Sequence, residues 1–460
     1  MLNRKTLVAG LVLLMAGSGQ QALAQSLQEV VAVAVNSNPE IAQAQYNKEA
    51  IQMERKQAQG LYAPRIDLEG SAGVRWLDNN TRRTLGIADE ELYPLEAQLR
   101  GEWVAIDFGR RRGELLRQSA RVDGASLRVL ERSELIALQV TRQYLDVLLN
   151  QRVLAASQDN VAFHQSLVRD LTTGVQQGSI SVADQQQSEE RLQAALVRAT
   201  EAEESLEKAK ITLRRLSGLD VSQATLPPTF AELLPANLDE AVGLARTVNP
   251  MVREAEADVD AAHGLADSAK GDLYPRIGVD VTGRIGDDID GFRGKTTDVQ
   301  ARAFLRWNLF DGGINRAKYQ EMVRRASQER YKLFQYQREA EEDVRQAWNL
   351  MQTQGRVVTQ LSTQSRVSDD LLLSYRSQFN VGRRSLLDVL DAQNTRFNVQ
   401  VRLESARFSE IFARYQALAV TNRLLSGLGV QPGAGAGEKE RERFDYGPPK
   451  PAETEYRTMP

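Results

Sequence analysis

Two hydrophobic periods alternate along the chain. The stretch "PRIDLEGSAGVRW" puts Ile66, Leu68, Gly70, Ala72, Val74 and Trp76 on one side of an extended backbone. Arg65, Asp67, Glu69, Ser71 and Arg75 fall on the other. "LEAQLRGEWVA" sets Leu95, Ala97, Leu99, Gly101 and Trp103 against Glu96, Gln98, Arg100 and Glu102. "RIGVDVTGRI" and "VQARAFLRWN" repeat the alternation later, broken once by Phe304. This pattern predicts two strand pairs, each strand about ten residues long. After each pair the period lengthens to seven: Val140, Val147, Leu154, Val161 and Val168, then Val344, Met351, Val358 and Leu372, with Ser365 the exception. Gly109–Gln177 and Gly312–Asn380 contain no proline and are 69 residues each. They predict helices about 100 Å long with coiled-coil packing, weakened locally at Gly124 and Gly355. The shorter helical stretches Ser26–Gly60 and Val182–Leu216, 35 residues each, have to stack end to end to match one long helix.

The halves of the chain repeat one another. "SNPE" at Pro39 returns as "VNPM" at Pro250, and "LYAPRI" at Pro64 returns as "LYPRI" at Pro275, both at an offset of 211. Trp103 matches Trp307 and Gly178 matches Gly382 at 204, and "RLSGLD" matches "LLSGLG" at 209. The order of landmarks divides the chain into a first repeat, 25–219, an inter-repeat linker, 220–236, and a second repeat, 237–429. Residues 430–460 are Gly/Pro-rich and charged, and are expected to be a disordered tail. Residues 1–24 read as a signal peptide. Arg4 and Lys5 precede the apolar "TLVAGLVLLMA", and Ala22–Ala24 form a small-residue cleavage site before Gln25. The apolar run is shorter than the ~20 residues that span a bilayer.

Composition removes several classes of function. Charged residues are 26% and the net charge is −3, so there is no basic footprint for nucleic acid. With no cysteine there is no disulfide, no thiolate metal site, no catalytic thiol and no lipid-modified N-terminal Cys. His164 and His263 lack metal-ligand spacing to any partner. No nucleophile elbow, phosphate loop or zinc motif occurs, so neither catalysis nor a cofactor is expected.

Ten-residue strands with one polar and one apolar face fit a soluble sheet or an outer-membrane barrel. The signal peptide, the strand length, the small residues on the apolar face and Trp76, Trp103 and Trp307 near strand ends favour the barrel, with these tryptophans as interface aromatics. Four strands cannot close, and lipid tolerates no open edge. Copies of the chain must share one barrel, and two or three copies both satisfy that requirement. The polar face then lines the lumen, and lipid covers the other.

From Ser26 to Gly429 the duplicated plan, "SNPE", "LYAPRI" and above all "VGRRSLLDVLDAQNTRF" resemble the TolC family of outer-membrane channel proteins. The resemblance implies an α+β membrane protein of a Gram-negative bacterium. It would be a homotrimer with a twelve-stranded outer-membrane β-barrel, continued by a long periplasmic α-helical barrel. It implies as partners a periplasmic adaptor (membrane fusion protein) and an inner-membrane ABC transporter, or alternatively an RND-type pump. The chain looks more like the non-lipidated type I secretion branch, an exit duct for protein, than the multidrug branch. Drug efflux is the alternative, and a periplasmic coiled-coil scaffold a third. The same resemblance makes Asp388 and Asp391 a carboxylate ring at the closed periplasmic gate, and Arg384 with Asp184 a gate lock. Ser385–Asp388 and Ser181–Asp184 also have helix-cap spacing, which accounts for Asp388 and Asp184 but not for Asp391. Phe379 and Ala183 stand where the best-known family member has Tyr and Thr, which leaves more of the closed state to Arg384.

Overall fold

Pairs of short helices match each long one through two asparagines. The computed structural model describes residues 25–441; the signal-peptide stretch 1–24 and positions 442–460 lie outside the described residues. The stretch expected as one helix over Ser26–Gly60 is two, α1 (Leu27–Ser37) and α2 (Pro39–Gly60). Pro39 cannot donate to the preceding turn and pushes Asn38 into an extended conformation, φ −70° and ψ 128°. The Asn38 carboxamide then caps α2 by accepting from Glu40 N–H at 2.9 Å. Its Nδ2 donates to the Leu216 carbonyl at 3.3 Å, in the last turn of the helix over Val182–Ser217. The second repeat builds the same joint at Pro250, where Asn249 Nδ2 donates to the Val420 carbonyl at 3.1 Å. Each joint gives a partner to a carbonyl that the helix end would otherwise leave open.

In chain order after α2 come β1 (Arg65–Ala72), α3 (Asn80–Thr84), β2 (Leu95–Ile106), α4 (Arg110–Gln176) and α5 (Val182–Ser217). The second repeat gives α6 (Leu238–Val248), α7 (Pro250–Gly271), β3 (Arg276–Asp287), β4 (Lys295–Arg306), α8 (Ile314–Asn380) and α9 (Leu386–Val420), followed by α10 (Leu424–Gly427). Helices α4 and α8 are 67 residues each, about 100 Å, and run unbroken through Gly124 and Gly355. Val140 and Val147 are fully buried, as is Val344, so the seven-residue line is the packed seam.

The strands form one antiparallel sheet in the order β1-β2-β3-β4. The register sets Leu68 opposite Leu99, Leu99 opposite Gly283 and Gly283 opposite Val299, which makes one continuous apolar face. That face is open: Leu68 and Val299 are each 75% exposed. The other face carries ion pairs between strands, Arg302–Asp280 at 2.6 Å, Arg284–Asp298 at 3.2 Å and Arg306–Glu102 at 2.8 Å. Phe304, the break in the alternation, lies on this polar side opposite Gly278. Its ring fills the space a Gly278 side chain would take, and Arg306 stacks over it at 4.1 Å. Both edges of the sheet, β1 and β4, lack a partner strand among the described residues. Beyond the strands, buried Arg82 of α3 donates to the Ile87 and Glu90 carbonyls of its own loop and to Gly291 of the β3–β4 loop.

The linker wraps the helices at mid-height. The Tyr144 hydroxyl reaches the Gln25 carbonyl at 2.7 Å and accepts the Thr225 N–H at 2.8 Å, while the Tyr415 hydroxyl donates to the Pro228 carbonyl at 2.5 Å. The tail is not disordered from residue 430. Through Arg441 it is a strap on α2, α4 and α7. The Asp123 carboxylate accepts the backbone N–H groups of Lys439, Glu440 and Arg441 at 2.9–3.0 Å. The Arg441 side chain, 2% exposed, lies 3.4 Å from Asp260 and 3.2 Å from Glu438, and Glu440 pairs with Arg55 at 2.8 Å. A polar, Gly-rich composition carries no hydrophobic signal, but these charge-assisted bonds order the segment without one.

Glu134, beside the strap, is 5% exposed and, among the described residues, accepts only the Leu425 N–H, at 3.4 Å. Burial pushes its carboxyl up to about 8. The unfolded chain releases this proton near the ordinary carboxylate value while the folded chain retains it. Stability therefore falls as pH rises from about 4.5 to 8 and stays low above. Glu134→Gln is expected to raise the apparent melting temperature of the protein at pH 8 and to leave it nearly unchanged at pH 4.5. The difference should be a few kcal/mol, at about 1.4 kcal/mol for each tenfold change in proton affinity on folding. Thermal unfolding followed by circular dichroism at the two pH values checks this, and equal changes at both would rule out a titrating Glu134.

Candidate functional site

The two turns at the far end of the long helices are built alike. Gly178 and Gly382 both adopt left-handed backbone, φ 73° and 74°, and Ser181 and Ser385 cap the helices that follow. The Ser181 hydroxyl donates to Asp184 at 2.6 Å, and the Ser385 hydroxyl donates to Asp388 at 2.7 Å. At the second turn the box closes in both directions, because Ser385 N–H also donates to the Asp388 carboxylate at 3.3 Å. The hydroxyl bond holds the Asp388 carboxyl below the usual carboxylate range, helped by the backbone bond and by the Arg384 charge. Asp388 therefore caps its helix and remains ionised.

Asp391 takes no part in the cap. It lies one turn further on the same face of α9, exposed, with no hydrogen bond or ion pair among the described residues. Its counterpart in the first repeat is Gln187, at the repeat offset of 204. Only this turn presents two carboxylates, one of them unpaired.

Arg384 does not reach Asp184. Its guanidinium lies 4.1 Å over the Tyr375 ring, 3.3 Å from Gln378 Oε1 and 3.8 Å from Asp388, all within its own hairpin. Within the chain the two hairpins are joined by other links slightly higher up. Asp170 faces Arg376 at 3.7 Å, Arg198 donates to Asn394 at 3.0 Å, and Gln393 donates to Asn160 at 2.8 Å in a buried pair. Leu167 and Leu171 of α4 pack with Leu386 and Leu390 of α9, joined by Ile180 and Phe379. Ile180 occupies the turn position matched by Arg384. The first turn thus tucks its side chain into this cluster, and the second projects a cation along the hairpin. The sequence signal for the true links was weak, since polar side chains on long helices are usually solvated.

At the sheet end the tryptophans separate into two levels. Trp103 and Trp307 lie at the helix-proximal strand ends, where their indoles donate to the Tyr62 and Leu273 carbonyls at 3.0 and 3.2 Å. Trp76 follows β1 at the opposite end and is 69% exposed. The tryptophans thus lie at both ends of strands whose apolar side is open, a placement compatible with the aromatic girdles of membrane barrels.

The model of the outer membrane efflux protein family matches residues 30–219 and 241–429, one segment for each repeat. The chain belongs to this family. Among its relatives, outer membrane efflux protein BepC of Brucella suis is 24% identical over 295 residues, 64% of each chain, so that match spans just under two thirds of BepC. The alkaline protease secretion protein AprF of Pseudomonas aeruginosa is 21% identical over 405 residues, 86% of this chain and 84% of AprF. In fold, the chain is similar to the CmeC outer membrane channel of Campylobacter jejuni, with a TM-score of 0.76 at 13% identity over 86% of each chain. It is also similar to VceC of Vibrio cholerae, with a TM-score of 0.72 at 15% identity over 88% of this chain and 96% of VceC. The fold is that of the family's trimeric channels, in which each chain supplies four strands and its share of a helical barrel. Membership makes this an outer-membrane protein and a passive channel component, not an enzyme.

Proposed function

We propose that this protein is the outer-membrane exit duct of a tripartite export system. It receives substrate from an inner-membrane transporter through a periplasmic adaptor, and its most specific assignment is type I protein secretion with an ABC transporter. The observation that supports this branch is the match to AprF, which runs through both repeats and covers more than four fifths of each chain. Within the duct, Asp388 and Asp391 form the carboxylate ring of the periplasmic mouth, and Arg384 trims its charge from the same hairpin. The match to BepC, an outer membrane efflux protein, supports a second reading, efflux, in which the cargo would be small molecules and the inner-membrane partner an RND-type pump.

Deleting the gene separates the two. Secretion predicts that one or a few large proteins disappear from the culture supernatant by mass spectrometry while drug susceptibility stays within twofold. An unchanged secretome with strongly increased susceptibility to amphipathic drugs would replace the secretion assignment with efflux.

A further inference from the structure

On the face of α4 turned away from Tyr144, a cavity of about 730 Å³ opens between α4, the end of α5 and the middle of α9. That size is in the range of small-molecule sites. Its apolar wall includes Leu149, Leu216, Phe408 and Phe412. Two arginines stand at its rim. Arg142 lies 5.5 Å from the centre of the Phe412 ring, and neither it nor Arg215 has an ion pair or hydrogen bond among the described residues. The carboxylate at hand, Asp146, is turned to neighbouring amides, accepting from Gln143 at 3.0 Å and Asn150 at 3.4 Å.

The fold itself does not demand these cations. At the repeat offsets of 204 and 209, Arg142 and Arg215 correspond to Gln346 and Leu424. The second repeat builds the same helices without either charge. The arginines belong to the cavity, not to the architecture.

We propose that this cavity is a binding site for an amphipathic anion, a soluble carboxylate or sulfonate with an apolar body. The guanidinium groups of Arg142 and Arg215 take the anionic head by charge-assisted hydrogen bonds, and Phe408, Phe412 and the leucines take the body. Both arginines are exposed at the rim, and a neutral ligand gives neither a charge partner. A compact inorganic anion leaves the wall wet. An amphipathic anion meets both conditions.

The test uses the full-length protein in nanodiscs of zwitterionic lipid, which keeps anionic lipid from competing. The probe is anilinonaphthalene sulfonate, whose emission rises in an apolar site, with decanoate as competitor and empty nanodiscs as background. The expected result is saturable binding at one site per chain, displaced by decanoate. The Arg142→Gln, Arg215→Gln double variant should weaken it at least about tenfold. The Arg142→Lys, Arg215→Lys pair, which retains the charge, should keep most of the affinity, and Arg402→Gln, elsewhere on α9, should change nothing. Non-saturable binding, or wild-type affinity in the double glutamine variant, overturns the proposal. Equal loss in the glutamine and lysine pairs also overturns it, because packing and not charge would then be responsible.

Discussion

Gly264→Leu is expected to eliminate the assembled protein from the outer membrane. Directly below the sheet, α4 and α7 approach backbone to backbone. A Cβ on Gly264 would lie 2.6 Å from the Arg117 nitrogen, and one on Gly113 would lie 2.3 Å from the Ser268 nitrogen. Gly271 is equally tight, with a Cβ 2.7 Å from the Arg110 nitrogen. The obstacles are main-chain atoms of a neighbouring helix and not the free ends of flexible side chains, so a rotamer change relieves nothing. The helices must separate instead. Because α4 continues from β2 and α7 leads into β3, separating them pulls apart adjacent strands whose register runs from Leu95 to Ile106. A barrel shared between copies does not close around a displaced pair. Outer-membrane fractionation and the heat-sensitive trimer band on a detergent gel check this. Gly355→Ala provides the contrast. Its Cβ meets only the Glu410 side chain, at 3.7 Å, and it should leave the trimer intact while gaining up to about 1 kcal/mol of helix propensity. Normal trimer yield from Gly264→Leu would show that the close crossing is dispensable.

The same glycines show what the sequence made legible. Gly124 and Gly355 draw attention because they interrupt a heptad, yet both lie within continuous helices with ordinary contacts around them. Gly113 and Gly264 interrupt nothing in the pattern and carry the tightest crossing, which depends on a partner helix 151 positions away. Period-two alternation, by contrast, is a local property, so all four strands and both faces could be read directly, and even the exception at Phe304 was visible before Gly278 explained it. The helix break at Pro39 went unread, because Ser26–Gly60 was expected as one helical stretch although a proline cannot donate to the turn before it. The strap through Arg441 was hidden because its order comes from one buried carboxylate, Asp123, more than three hundred positions earlier. At the tip, the capping role of Asp388 follows from three-residue spacing. The direction of Arg384 depends on Tyr375, one long side chain choosing between two hairpins.

That choice determines the second large effect. If Asp388 and Asp391 face the pore, the Asp388→Ala, Asp391→Ala double change removes both carboxylates of every chain from a narrow mouth. Single-channel recording in planar bilayers should then show cation selectivity falling toward that of the bulk ions. Block by multivalent cations from the periplasmic side should weaken by roughly tenfold or more, since each close charge contributes on the order of 1 kcal/mol at a solvated site. Losing the Asp388 cap also costs helix stability, about 1 kcal/mol, so Asp391→Ala alone is the cleaner arm: it removes an unpaired charge and no hydrogen bond. Arg384→Ala should move selectivity the opposite way. Its guanidinium lies 3.8 Å from Asp388, so removing it exposes more of the ring's charge and strengthens cation block. Asp184→Ala should change neither property, because that carboxylate is bound to Ser181 on the other turn. A lock between Arg384 and Asp184 predicts a different pattern, with both single variants raising conductance in parallel. Wild-type selectivity and block in Asp391→Ala would mean that the exposed carboxylate points away from the pore, and the ring assignment would be withdrawn.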